Sequence, residues 1–243
     1  MNLFFESFYN SFYQQPLTLW IATLIGASVL YTIPSGLKKS PELRFFSLIW
    51  IFISLLDAGL TATPVPGVGR LSWPWDQLVP LTFVLLGDYR YFLWSSGLNQ
   101  SSWILSRQKY IGALKWTLIV PIASKIAVAL LPQELANISP NSSRFLFFFY
   151  EVFFLCLIPI HARTLMSHGR LSPTSMTWFR RVKNFAVLYY SLWAFADLWI
   201  LALEYLNPAE VQLRDFGFLM RVVPNVLYYG FLIPMISLLK PKA

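Results

Sequence analysis

Seven predominantly apolar windows fill most of this 243-residue chain, and they constrain its fold more than any other feature. To within a few residues they run Leu17 to Ile33, Leu43 to Ala62, Gln77 to Ser96, Ile111 to Leu131, Phe145 to Met166, Asn184 to Leu206 and Gly217 to Leu239. A helix rising about 1.5 Å per residue needs roughly 20 such residues to cross a hydrocarbon core about 30 Å thick, and soluble core helices seldom run so long. With 56% hydrophobic and 12% charged residues, the chain also lacks the polar surface to coat a water-soluble globule. The predicted fold is an all-α integral membrane protein, a single bundle of seven transmembrane helices formed by residues 1–243 as one domain.

The connections are short and carry helix breakers: Pro34 and Gly36, the TPVPGVG stretch at 63–69, Pro132, NISPNSS at 137–143, and Pro208. No linker and no internal repeat stands out. The first fifteen residues are aromatic, contain Glu6 and lack a basic start, so a cleaved secretory signal is not expected. Residues 1–16 then form a short outer segment, in which Leu3 to Tyr13 reads equally as an amphipathic stretch with Phe4, Phe5, Phe8 and Phe12 on one side or as a disordered tail.

Orientation follows from the basic residues, because cytoplasmic loops retain Lys and Arg. One set of connections holds Lys38, Lys39, Arg44, Arg107, Lys109, Arg170, Arg180, Arg181, Lys183, Lys240 and Lys242, whereas the opposite set holds Arg70, Arg144 and Arg214. The basic set comprises the first, third and fifth connections and the C-terminus. The N-terminus is therefore expected outside and the C-terminus in the cytoplasm, in a plasma or inner membrane. The net charge of +8 is spread between apolar runs rather than along one face, which argues against nucleic acid as a partner and for the lipid bilayer.

The basic stretch from Ser167 to Lys183 reads as the longest cytoplasmic loop, with Trp178, Phe179, Arg180, Arg181 and Lys183 suited to anionic lipid headgroups. Trp20, Trp73, Trp75, Trp103, Trp116 and Trp178 suit the interfacial aromatic belt. Asn99, Asn137 and Asn141 lie in glycosylation sequons, the last two on the predicted outer side. Cys156 is the one cysteine, so no intrachain disulfide exists, and its apolar window predicts inert packing.

Ionisable residues inside the windows carry the functional information, since each costs on the order of 2.5 to 3.5 kcal/mol at mid-bilayer. Counting from the helix starts, Asp88 and Arg90 fall near the midplane of the third span. Asp57, Lys125 and Asp197 fall between the midplane and the outer face, and Glu151 and Arg221 in the outer third. Helical spacing groups them into stripes: Tyr190, Trp193, Asp197 and Glu204 on the sixth span, and Arg221, Asn225 and Tyr228 on the seventh. Asp88 and Arg90 are two residues apart and point in different directions, so each needs a partner on another helix. Ion pairs that merely glue helices together explain part of this pattern. Seven charges in so small a bundle exceed that need and point to a hydrated pocket.

Gly87 permits a close helix approach, and Pro121, Pro159, Pro224 and Pro234 are candidate kinks. Lys115 and Arg163 read as interfacial anchors. His161 is the membrane-embedded histidine and a candidate proton relay, although a packed, hydrogen-bonded histidine accounts for it as well. No nucleotide loop, HExxH, GxSxG or cysteine–histidine cluster is present, so no metal site is expected. The seven-span layout resembles that of microbial rhodopsins, but that family's Schiff-base lysine in the seventh helix has no counterpart between Arg221 and Lys240, and Lys125 lies on the fourth span. No retinal Schiff base is expected.

The resulting expectation is a pocket for a small polar or charged ligand, or a proton pathway, lined by Asp57, Asp88, Arg90, Lys125, Glu151, Asp197, Arg221 and Asn225. Two other classes stand beside it: an intramembrane enzyme acting on a lipid or prenyl-like substrate, with Asp88 and Asp197 as acid and base, and a non-catalytic subunit that binds a membrane-protein partner.

Overall fold

A computed structural model describes residues 4–32, 41–62, 64–98, 106–136, 143–167, 171–206 and 209–239. Among them the chain is helical, apart from short turns and one isolated antiparallel bridge, Val65 to Gly69. That bridge closes where Gly67 and Gly69 take φ of +76° and +89°, a conformation that glycine adopts without a Cβ clash. Lys38, Lys39, Arg170, Lys240, Lys242, Trp103 and the sequons at Asn99, Asn137 and Asn141 lie outside the described residues.

The helices are α1 (Phe4–Tyr9), α2 (Leu19–Thr32), α3 (Pro41–Leu60), α4 (Trp75–Ser96), α5 (Arg107–Ala129), α6 (Gln133–Ala136), α7 (Ser143–Ser167), α8 (Pro173–Leu206), α9 (Val211–Val226) and α10 (Leu232–Leu238). A π-helical turn, Tyr13–Thr18, leads into α2, and a second, Leu227–Phe231, joins α9 to α10. Five helical stretches are long and apolar enough to cross a membrane: 43–60, 107–129, 144–167, 173–206 and 211–238. The chain thus has the build of an α-helical membrane protein. Of the other two predicted spans, α2 has 14 residues, and α4 contains Asp76, Asp88 and Arg90.

The long helices pack mostly as sequence neighbours: α2 on α3, α3 on α4, α4 on α5, α5 on α7, α7 on α8, and α8 on α9. The ring closes where the π turn and α10 pack on α2. There the backbones meet directly. A Cβ on Gly26 would overlap the Gly230 carbonyl, and one on Gly230 would come within 2.7 Å of the Ala22 carbonyl oxygen. Small residues allow such contact, which supplies dispersion energy where lipid supplies no hydrophobic drive.

The fifth connection departs from expectation. Residues 173–183 form the first turns of α8, because Pro173 suits the first helical position and neither proline nor glycine interrupts the next 33 residues. Trp178 and Phe179, read as headgroup contacts, are instead buried, and the Trp178 indole donates to the Ile236 carbonyl at 2.6 Å. Arg180 and Arg181 remain exposed. Cys156 is likewise exposed on α7 rather than packed inside.

The two ends of the bundle differ. Rings of Tyr91, Phe92, Trp94, Phe154, Trp178 and Phe179 fill the end that the sequence assigns to the cytoplasm. The opposite end, where α3 and α8 finish and α4, α7 and α9 begin, is hollow.

Candidate functional site

The hollow end contains a cavity of about 380 Å³, within the range of small-ligand sites. Its wall draws on α3, α4, α7, α8, α9 and the second π turn, and Tyr9, Asn10 and Gln15 complete it from the N-terminal segment. Charged and hydroxyl groups line it in two layers, separated by aromatic side chains.

The deep layer is built around two aspartates. Asp88 of α4 accepts hydrogen bonds from the hydroxyls of Tyr150 on α7 and Tyr190 on α8, one to each carboxylate oxygen. The room for this layer depends on Gly87, since a Cβ there would strike the Tyr228 hydroxyl. Asp57 of α3 accepts from Thr61 at 3.3 Å and from the Tyr229 hydroxyl, and Gln15 donates to Thr61 at 2.5 Å. Arg90 supplies the positive charge from behind the wall. Its guanidinium donates to Ser54 at 3.0 Å and to the Tyr228 carbonyl at 3.2 Å, and its carbon lies 4.0 Å from the Tyr228 ring centroid. The π turn presents that carbonyl to a side-chain donor, as it does the Tyr229 carbonyl to Thr23 at 3.3 Å.

The outer layer has two arginines. Arg144 of α7 and Arg221 of α9 both line the cavity, and both reach Oδ1 of Asp197 on α8, Arg144 at 3.2 Å. Asp197 itself is fully buried behind them. Glu151 lines the cavity two turns along α7 from Arg144, with its carboxyl against that of Asp197. Arg221 also donates to the Tyr9 hydroxyl at 3.0 Å, Asn225 donates to the same hydroxyl at 3.4 Å, and the Trp193 indole donates to Asn225 at 2.7 Å. The N-terminal helix is thereby tied into the wall.

No family model, curated protein or solved structure matches this chain. Its chemistry is therefore read from the site alone.

Of the residues singled out in the sequence, Asp57, Asp88, Glu151, Arg221 and Asn225 line the cavity. Arg90 and Asp197 do not line it; each is buried just behind the wall. Lys125 is a correction: it is exposed on α5 and lies away from the cavity. Helix α5 turns Ala113, Thr117, Val120 and Ser124 inward, and Lys125, one residue past that stripe, points elsewhere. His161 also lies away from the cavity. It is buried among Phe92, Trp116, Tyr91 and Phe179, with the Phe92 ring edge-on at 4.9 Å, and its Nδ1 has no hydrogen-bonding partner among the described residues.

Arg144 is the charged residue that sequence reasoning missed. Its apolar window begins at Phe145, which puts Arg144 among the connection residues. The usable signal was its spacing: Arg144, Phe147 and Glu151 recur at i, i+3 and i+7 on one helical face. Asp88 and Asp197 do not meet as an acid–base pair. Asp88 bonds to Tyr190, seven residues and about 10 Å along α8 from Asp197.

Proposed function

We propose that this protein is a seven-span membrane protein, with its N-terminus outside and its C-terminus in the cytoplasm, which binds a small polar or charged ligand in the cavity of its outer half as part of moving it across the membrane. One observation carries the reading. Three carboxylates, those of Asp57, Asp88 and Glu151, face a cavity whose own arginines are drawn onto a fourth carboxylate, Asp197, behind the wall. With Arg90, four acids surround the space against three guanidiniums. An arrangement serving cohesion alone favours closed, fully paired contacts, because buried charge without a partner is costly. Here the charged groups instead border open volume.

Seven crossings bring α2 and α4 into the membrane beside the five longer apolar helices. They place the hollow end on the side poor in Lys and Arg, so the ligand enters from outside.

The test is thermal unfolding of purified protein against a panel of small amines, carboxylates and amino acids. A ligand at 100 times its Kd raises stability by about 2.7 kcal/mol. The expected outcome is a polar compound that raises Tm in the wild type and does so at least about tenfold less effectively in Asp88→Asn. The same compound should move across proteoliposome membranes. If Asp57→Asn and Asp88→Asn both leave every binding and flux signal unchanged, the reading fails.

A further inference from the structure

The charges around the cavity are sorted by depth, and two helices fix the spacing. On α7, Arg144 and Tyr150 are six residues apart; on α8, Asp197 and Tyr190 are seven apart. At about 1.5 Å per residue the backbone positions that carry the outer and deep layers are therefore about 9 to 10.5 Å apart along the helix axis. The deep layer turns Asp57 and Asp88 toward the cavity, while Arg90 faces Ser54 and the Tyr228 carbonyl. The outer layer turns Arg144 and Arg221 toward it, while Asp197 stays behind the wall. Arg144 gives one nitrogen to Asp197 and keeps a side chain that is 13% exposed, so its guanidinium has donors left for a ligand.

Between the layers the wall is aromatic, apart from the Glu151 carboxylate that lies inward of the two arginines. Phe147 lies between Arg144 and Tyr150 on α7, and Trp193 lies between Tyr190 and Asp197 on α8. A simple anion entering this space meets Glu151, Asp57 and Asp88. A simple cation must pass Arg144 and Arg221. A molecule carrying both charges, with its cationic end inward, meets each layer with the opposite sign.

We propose that the ligand is a small zwitterion whose ammonium is held by Asp57 and Asp88 and whose carboxylate is held by Arg144 and Arg221, with methylene groups against Phe147 and Trp193. Length follows from the layers. Each charged end approaches its partner to about 3 Å, which leaves about 4 Å between the ligand's own charges. That separation suits an ammonium and a carboxylate joined through two extended methylenes, or through three with a gauche bend, and exceeds that of an α-amino acid. This inference rests on the reading that the cavity admits a ligand from outside, and the experiment separates the two.

Val84 lines the cavity one turn before Asp88. In a Cys156→Ser background, Val84→Cys reports access when proteoliposomes are exposed to a membrane-impermeant thiol reagent. Four probes of similar size are compared: 4-aminobutanoate, its isomer 2-aminobutanoate, butylammonium and butanoate. The expected result is that Val84→Cys reacts and that 4-aminobutanoate slows the reaction at least about tenfold, whereas the other three at equal concentration slow it less than about threefold. Arg144→Gln should weaken protection by 4-aminobutanoate about tenfold, the size of one charge-assisted hydrogen bond, without changing the response to butylammonium.

Equal protection by butylammonium, butanoate or 2-aminobutanoate overturns the zwitterion. So does a reactive Val84→Cys that none of the four protects. A Val84→Cys that stays unreactive in folded protein and reacts after detergent unfolding overturns the accessible cavity itself. The ligand series decides the matter on one variant if Arg144→Gln does not fold.

Discussion

Asp197 has no exposed surface, yet it holds both arginines that face the cavity. Replacing it by alanine leaves two partly buried guanidiniums without their counter-charge, a loss of about 3 to 5 kcal/mol for a buried pair broken from one side. Asp197→Ala is therefore expected to lower the unfolding midpoint in detergent sharply, and Asp197→Asn to recover part of the loss by keeping an acceptor oxygen. A midpoint within a degree of wild type for Asp197→Ala would remove this residue from the framework of the site. At this scale much was legible in the sequence. A carboxylate inside an apolar window is costly, so Asp57, Asp88, Glu151 and Asp197 could be singled out without coordinates. Rotation about the helix axis was not legible to the same degree. Lys125 lies at a suitable depth but on the wrong side of α5, and Arg144 lies on the right side of α7 but outside the window that composition defined.

The N-terminal helix shows how one element is recruited by another. Asp215, near the start of α9, accepts hydrogen bonds from the backbone amides of Phe5 at 3.0 Å and Glu6 at 2.7 Å. These amides have no partner within α1, and the carboxylate caps them from a distant point in the chain. Arg214 pairs with Glu6 at 3.8 Å beside it, and the Tyr9 ring packs on Phe218 with centroids 5.7 Å apart. Loss of a capping acceptor costs about 1 kcal/mol. In a six-residue helix that is enough to release it, so Asp215→Ala should speed hydrogen exchange at residues 5–9 by about fivefold or more, with little change at α7. Unchanged exchange there would mean that the aromatic contacts alone hold α1. The sequence showed an amphipathic aromatic segment suited to a surface. It did not show that the surface is α9, because the 209 residues separating Glu6 from Asp215 carry no periodic signal linking them.

At the scale of the whole molecule, the ring of helices has one filled end and one hollow end, and its relation to the membrane depends on α4. Seven crossings put Val68 and Ser106, both exposed, on opposite faces. If α4 did not cross, the two would share a face. Single cysteines at these positions in the Cys156→Ser background, labelled by an impermeant reagent from one side and then from both, should show Val68→Cys accessible from outside and Ser106→Cys only after permeabilisation. Labelling of both from one side would remove α4 from the membrane and with it the placement of Asp88 near mid-depth.

By itself the sequence determined the helical membrane class, the long helices to within a few residues at most boundaries, and the carboxylates worth attention. Hydrophobic length and the cost of buried charge act locally along a chain, so they can be read in one dimension. The tertiary structure decided which charges meet. It drew Arg144 and Arg221 onto one buried oxygen, set Arg90 behind two aspartates, left Lys125 and His161 away from the cavity, and folded α1 into its wall. Those outcomes depend on how each helix is rotated about its axis and on which helices close the ring. Both are fixed by packing between residues far apart in sequence, such as Gly26 against Gly230 and Gly87 against Tyr228.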